Sequence, residues 1–283
     1  MSIDPSPADL DIGFIGAGNM AGALIRGLLQ QGVPAGRIRA ADIDATKLEE
    51  LSRECGIGSG DSRSVTRVSR VLVLAVKPQV MQQVCGGLKA DLQPGTLVIS
   101  IAAGITLAHL QRWLGQETAL VRCMPNTPAL VGCGASALFA AATVDSRQRT
   151  LAQAVLDAVG ISLWLTRESD MDAVTALSGS GPAYFFLLME AMQVAGRELG
   201  LDDDTARRLT LQTALGAARL AANSPLDSAE LRRQVTSPGG TTERAIGVFE
   251  QGGLRELVSK ALGAARQRSE ELAGTMNEST TKP

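Results

Sequence analysis

The chain reads as an α/β half followed by an all-α half, and three observations predict that division. Short apolar runs alternate with helical apolar spacing as far as Leu165, a glycine turn joins the first run to the first helix, and only helical spacing continues beyond Leu165. The expected domains are therefore residues 1–165 and residues 166–283.

The first run, Ile12–Ile15, passes straight into Gly16-Ala-Gly18-Asn-Met-Ala21 and a helical pattern from Asn19. Gly16 permits a tight turn, Gly18 lets the backbone approach a pyrophosphate, and Ala21 lets the helix pack close to the strand, with phosphates on its positive end. This is the opening of a Rossmann dinucleotide-binding domain, and it makes Ile15, Gly16, Ala17, Gly18, Asn19 and Met20 candidate cofactor contacts. A glycine turn into an ordinary helix is the competing structural reading. Asp42 ends the next strand, where such a site meets the adenosine ribose; a carboxylate there accepts the 2′-hydroxyl of NADH and repels the 2′-phosphate of NADPH. Arg39 and Lys47 could offset that repulsion, and Asp44 reads as a helix cap.

Further strands are expected at Ile38–Ala41, Val71–Val76, Leu97–Ile101 and Leu120–Cys123, with helices from Asp44, Ser62, Pro78 and Thr106. Repeated strand–helix–strand implies a parallel sheet wrapped by helices, and Val71–Val76, apolar throughout, suits a strand buried on both faces. Three loops fall on the carboxyl edge where such sheets bind ligands: Lys77-Pro78, Ala102-Ala103-Gly104 and Met124-Pro-Asn-Thr-Pro128. A strand Ser136–Ala140, a helix Asp145–Val159 and a strand Ile161–Leu165 complete this half. Helices then follow at Asp170–Leu177, Pro182–Gly200, Asp204–Asn223, Ser228–Val235, Thr242–Gln251 and Leu254–Leu272. In Leu187–Gly200 and Leu209–Ala222 small and aliphatic residues cover most of the helix surface, which calls for a subunit interface or, alternatively, a compact monomeric bundle.

Composition narrows the function. With 45% apolar and 20% charged residues the chain is an ordinary globular protein, and a net charge of −2 with 3% aromatics argues against nucleic acid as a partner. The acidic, proline-containing stretch Met1–Asp11 lacks the pattern of a leader, and no apolar run is long enough to span a bilayer. A soluble cytoplasmic protein without a membrane partner is expected. Four cysteines without a C-x-x-C pair indicate reduced, mostly buried thiols and no metal site. The single histidine, His109, lies in the short helix Thr106–Leu114 and is expected to be a surface or half-buried residue rather than a catalytic one, because its motif shows none of the pattern of general-base work.

In the helical half, Thr236-Ser-Pro-Gly-Gly-Thr-Thr242 delivers the Gly240, Thr241 and Thr242 amides to the start of a helix, a cradle for a small anion such as a carboxylate. A plain glycine-turn cap is the alternative. Ser178-Gly-Ser-Gly-Pro182 reads as a second loop-to-helix junction of the same kind.

Taken together, Phe14–Met20, Ala75–Gln79 with Ser100–Gly104, Arg122–Pro128, Leu177–Tyr184 and Ser237–Thr242 resemble, in order and spacing, the pyrroline-5-carboxylate reductase family along essentially the whole chain. The resemblance implies a helical dimerisation domain after the Rossmann domain, a homodimer that can assemble as a decamer of five dimers, and reduction of 1-pyrroline-5-carboxylate to L-proline by NADP(H) or NAD(H). It implies cofactor contacts at Ala75, Val76, Lys77, Pro78, Ala102, Ala103, Gly104 and Gln234, and substrate contacts at Ser237, Gly239, Gly240 and Thr241. Thr242 would hydrogen-bond the ring nitrogen as the catalytic group, and Glu168 would lie near the substrate. Asp42 stands where members that use NADPH often carry serine, and Ser62 stands where many carry asparagine near the adenine. Such a reaction needs little acid–base machinery, in keeping with a chain that has one unpromising histidine. A hydroxyacid dehydrogenase and a non-catalytic dinucleotide sensor compete. The first would place a lysine in Ser178–Leu199, which has none, and the second would have no use for the Gly239–Thr242 cradle.

Overall fold

The computed structural model describes residues 10–278, so most of the Met1–Asp11 stretch lies outside the described residues. The chain folds as two compact units: one runs through Ser180 and is rejoined by the segment from Ala265, and the other is Gly181–Ala264.

The first unit is built on one eight-stranded sheet. Its elements are β1 (Ile12–Ile15), α1 (Asn19–Gln30), β2 (Ile38–Ala41), α2 (Ala45–Cys55), β3 (Gly58–Ser59), α3 (Ser62–Val68), β4 (Val71–Leu74) and α4 (Pro78–Leu88). These are followed by β5 (Leu97–Ser100), α5 (Leu107–Leu114), β6 (Ala119–Met124), β7 (Gly134–Ala140), α6 (Ser146–Asp157) and β8 (Gly160–Trp164). The strand order β3-β2-β1-β4-β5-β6-β7-β8 reverses direction of growth between β1 and β4, the switch point at which doubly wound sheets bind ligands. β1, β4 and β5 are buried at every position, as continuous apolar runs covered on both faces must be. Phe14, Leu24, Leu72, Met81 and Ile99 are wholly enclosed, each large side chain contributing roughly 1.5–3 kcal/mol of burial.

Three expectations change. The sheet is not wholly parallel, because β7 pairs antiparallel to β6, Cys123 opposite Leu138. The connection holds only a short 3₁₀ segment, Thr127–Val131, and is too brief for the crossover that a parallel pair requires. His109 is buried, stacked on Trp113 with ring centroids 5.5 Å apart, and completes a capping box with Thr106 at the start of α5. Ser178–Gly181 is not a loop: α7 (Met171–Val174) runs into a π-helical turn, Thr175–Gly179, in which Ser180 N–H donates to the Thr175 carbonyl.

The division of the chain also differs from 1–165 and 166–283 in two stretches. Residues 166–180 cluster with the sheet unit, where Met171 and Ala176 are buried, and so does the segment from Ala265, where Ser269 Oγ donates to Asp172 at 2.7 Å.

The second unit consists of α8 (Gly181–Glu198), α9 (Asp203–Ala222), α10 (Ser228–Gln234), α11 (Thr241–Gln251) and the first part of α12 (Leu254–Glu278). α8 and α9 pack on each other, yet within the chain α8 buries only Gly181 and α9 only Ala206 and Thr210. Phe185, Leu188 and Met192 stay exposed on α8, and Leu209, Leu215 and Leu220 on α9. Among the described residues no helix is long and apolar enough to cross a membrane, and no group of three or more His, Cys, Asp or Glu could hold a metal ion.

Candidate active site

Gly16 adopts φ +104°, and a Cβ there would stand 2.6 Å from the Ala75 carbonyl oxygen, so the turn admits only glycine. Gly18 is the N-cap of α1 without a side-chain cap bond, and a Cβ on it would meet nothing within 4 Å. Gly18 thus leaves room at the start of α1, where the first amides have no intrahelical partner, which fits a pyrophosphate at a positive helix end. Ala75 N–H donates to the Ile15 carbonyl, bringing the β1 and β4 loops together. Val76 lines the adjoining cleft, and Lys77 is the exposed N-cap of α4 with Pro78 in its first turn.

That cleft, of about 410 Å³, is lined by Gly16, Asp42, Ile43, Ser62, Arg63 and Val80 among others, so the structure brings Asp42 and Ser62 to the same space as the glycine turn. Asp42 is more than a strand end. Its Oδ2 accepts from Ala17 N–H at 2.6 Å and its Oδ1 from Asp44 N–H at 2.8 Å. The cations expected to offset its charge are engaged elsewhere, Arg39 with Asp11 at 3.1 Å and Lys47 with Asp44 at 3.0 Å. Arg63, which lines the same cleft, is bonded with Arg67 to the buried Asp91. The Arg63 guanidinium holds the Asp91 carboxyl below its usual range, with Arg67 adding to the effect.

Past β5, Ala102 and Gly104 are buried and Ala103 is exposed. Gly104 takes φ +75°, and a Cβ there would lie 3.8 Å from Ala273 N, so this loop rests on the last part of α12. Immediately downstream, Glu168 Oε1 accepts from Leu107 N–H at 2.8 Å and from Arg122 Nη1 at 3.1 Å. Glu168 thus stands against the start of α5. Asn126 acts as a fastener: its Oδ1 accepts from Ala135 N–H and its Nδ2 donates to the Ser178 carbonyl.

In the second unit, Ser237–Gly240 forms the turn before α11, with Gly239 at φ +73° and Gly240 as N-cap. The Gly240 amide was expected to face a ligand, but it donates to the Ser237 carbonyl at 3.0 Å, closing the turn. The Gly239 amide donates to Glu243 Oε2 at 2.7 Å, an acid in the first turn of α11 reaching back over its own N-terminus. Thr241 and Thr242 are left, exposed, with amides at the first two positions of α11, where no intrahelical partner exists. Gly239, Gly240, Glu243 and Arg244 line a cleft of about 380 Å³ beside them. Gln234 closes α10 and is exposed.

Sequence reasoning missed Arg63, Arg122, Glu243 and Arg244. Two of them left a signal: Glu243 is an acid three residues after a helix cap, and Arg122 is a charge inside the apolar run Leu120–Cys123, which demands a buried partner. Cys85 and Cys123 are buried thiols, as expected, and burial raises that of Cys123 and pushes that of Cys85 up to about 12, whereas Cys55 is half-buried and Cys133 is exposed.

Comparison with known proteins agrees with both units. Residues 168–272 match the family model described as pyrroline-5-carboxylate reductase dimerisation, and residues 11–104 match that of coenzyme F420-dependent NADP oxidoreductases. The chain is 56% identical over 263 residues to the pyrroline-5-carboxylate reductase of Pseudomonas aeruginosa, covering 93% of this chain and 96% of the relative. To that of Pasteurella multocida it is 47% identical, covering 92% and 96%. A solved pyrroline-5-carboxylate reductase from Coxiella burnetii superposes with a TM-score of 0.90 at 47% identity, covering 93% of this chain and 98% of that one. The pyrroline carboxylate reductase of Plasmodium falciparum, solved with NADP bound, gives 0.82 at 28% identity over 94% and 99%. With an α/β dinucleotide-binding domain ahead of a helical dimerisation domain and relatives of this identity along nearly its whole length, the chain belongs to the pyrroline-5-carboxylate reductase family.

Proposed function

We propose that this chain reduces 1-pyrroline-5-carboxylate to L-proline at the expense of NADPH or NADH, the last step of proline synthesis. The observation that carries the reading is the start of α11, where the amides of Thr241 and Thr242 stand without helical partners beside a hydroxyl. A carboxylate is the anion suited to two converging amides at a positive helix end, and Ser237, Gly239 and Gly240 supply the turn that shapes it. The Thr242 hydroxyl then meets the ring nitrogen. A proton taken up by that nitrogen, held by the Thr242 hydroxyl, withdraws electrons from the imine carbon, so that hydride addition leaves the neutral ring amine and little further acid–base machinery is required.

The dinucleotide is assigned to Ile15–Met20, Asp42, Ser62, Ala75–Pro78, Ala102–Gly104 and Gln234. When bound, it supplies the hydride that C5 accepts. The chain's own residues bind and orient it: glycine turn and helix amides at the pyrophosphate, Asp42 at the ribose. The active form is a homodimer, arranged further as a decamer of five dimers. It works in the cytoplasm with neither nucleic acid nor membrane as partner.

The test follows loss of reduced-nicotinamide absorbance with pyrroline-5-carboxylate for the native chain and Thr242→Val. The native chain is expected to turn over. Thr242→Val, which keeps the branched shape and removes only the hydroxyl, should lower kcat/KM by roughly ten- to a thousandfold, the range for one hydrogen bond to developing charge, with little change in cofactor affinity. Undiminished kcat/KM in Thr242→Val would make Thr242 a cap and return the proton donor to water or to Glu168.

A further inference from the structure

We propose that Arg122 is a positioning residue for the nicotinamide half of the dinucleotide, acting through Glu168 on the loop Ala102–Thr106. The proposal rests on the reading above that Ala102–Gly104 borders the dinucleotide. The sheet order supports that placement: the cleft of Asp42 and Ser62 lies between the segments that follow β2 and β4, and β5 is the next strand beyond it, on the far side of the switch point, where the other mononucleotide half belongs.

Arg122 lies within β6 and pairs in register with Ser100, the last residue of β5, where that loop begins. Its strand neighbours Val121 and Cys123 are apolar and it is 5% exposed, so its charge must be met by a fixed counter-charge. Glu168 is that group. The same Oε1 that accepts a hydrogen bond from Arg122 Nη1 accepts one from the Leu107 amide, at 3.1 and 2.8 Å. The stem of the loop at Ser100 and its exit at Leu107 are thereby referred to one ion pair.

Helix initiation does not require this. Thr106 and His109 already form the capping box of α5, leaving Glu168 to fix where the helix starts rather than whether it does. Nor is stability a sufficient reason for a buried pair, because apolar replacements of such pairs are often neutral or better. What the pair supplies is geometry. On its other side the loop meets the Leu272–Ala273 backbone at Gly104, so it is held from two directions.

The experiment compares native chain, Arg122→Met, Arg122→Lys and Glu168→Gln by steady-state kinetics in both substrates, by fluorescence titration with the reduced dinucleotide and by thermal melting. Arg122→Met should raise the dinucleotide KM and lower kcat by about tenfold or more, while the KM for the imine acid stays within about twofold. Arg122→Lys, which keeps the charge, should recover most of the loss, and Glu168→Gln should show part of it. If Arg122→Met does not fold, the contrast between Arg122→Lys and Glu168→Gln carries the comparison.

Kinetic constants that stay native while only Tm falls would overturn the proposal. So would a rise confined to the imine-acid KM, which would put Glu168 on the substrate. A native chain without reductase activity would refute the function instead, and the titration would still decide whether Arg122→Met weakens dinucleotide binding.

Discussion

Both carboxylate oxygens of Asp42 accept backbone amides, from Ala17 and Asp44, so its charge is anchored at the edge of the glycine turn. Serine could not hold both amides, and Asp42→Ser would mix loop loosening with loss of charge. Asp42→Asn is the cleaner change. It keeps an oxygen acceptor and removes the repulsion toward a 2′-phosphate, about 4 kcal/mol at 4 Å and an effective dielectric of 20 before screening. The ratio of kcat/KM for NADPH to that for NADH should rise at least about tenfold, and an unchanged ratio would remove Asp42 from the ribose site. The sequence alone places Asp42 at a strand end. It could not show the bond to Ala17, nor that Arg39 and Lys47 are taken by Asp11 and Asp44, because those depend on where separate loops meet.

Elements with one strong local signal were readable: β1, β4 and β5 from their apolar runs, and α2 from Asp44 as its cap, whereas the cap of α9, Asp202, lies outside the expected helix from Asp204. Those whose geometry answers to a neighbour were not. β3 is two residues that pair with β2 and carry no pattern of their own. The π turn at Thr175–Gly179 lies beside Met124, whose Cε would lie 2.5 Å from a Cβ added at Gly179. A similar long-range tie joins α3 to the segment after α4, where Arg63 and Arg67 meet at Asp91. Because the Asp91 carboxyl is held below its usual range, the folded state binds its proton more weakly than the unfolded chain does. That stabilisation is complete above the ordinary carboxylate pKa of about 3.9 and is lost as pH falls below it. Urea midpoints measured on descending into that acid range should therefore fall more steeply for the native chain than for Asp91→Asn. Parallel curves would deny Asp91 that role.

At the scale of the whole molecule, the helical unit displays more apolar surface than a lone chain keeps in water, with Phe185, Leu188 and Met192 recurring at helical spacing on α8. Leu188→Asp places a charge in the middle of that row and should shift sedimentation toward the 29.5 kDa single chain with loss of activity. A native chain that sediments as an active monomer would exclude the dimer as the working form. The helical composition of this unit was plain from apolar spacing. Its limits were not, since the return of residues from Ala265 depends on the Ser269–Asp172 bond and the approach of Gly104 to Ala273, contacts that no local pattern announces. The same return gives the chain an unusual connectivity. It leaves the sheet unit after Ser180 and re-enters it within α12, so the helical unit is threaded into its partner as an insertion rather than appended as a tail. A single cut in the turn between α9 and α10 would then release neither piece, for each fragment would keep its own stake in the sheet unit. Cleaved there, the polypeptide would behave as a ring with one link opened.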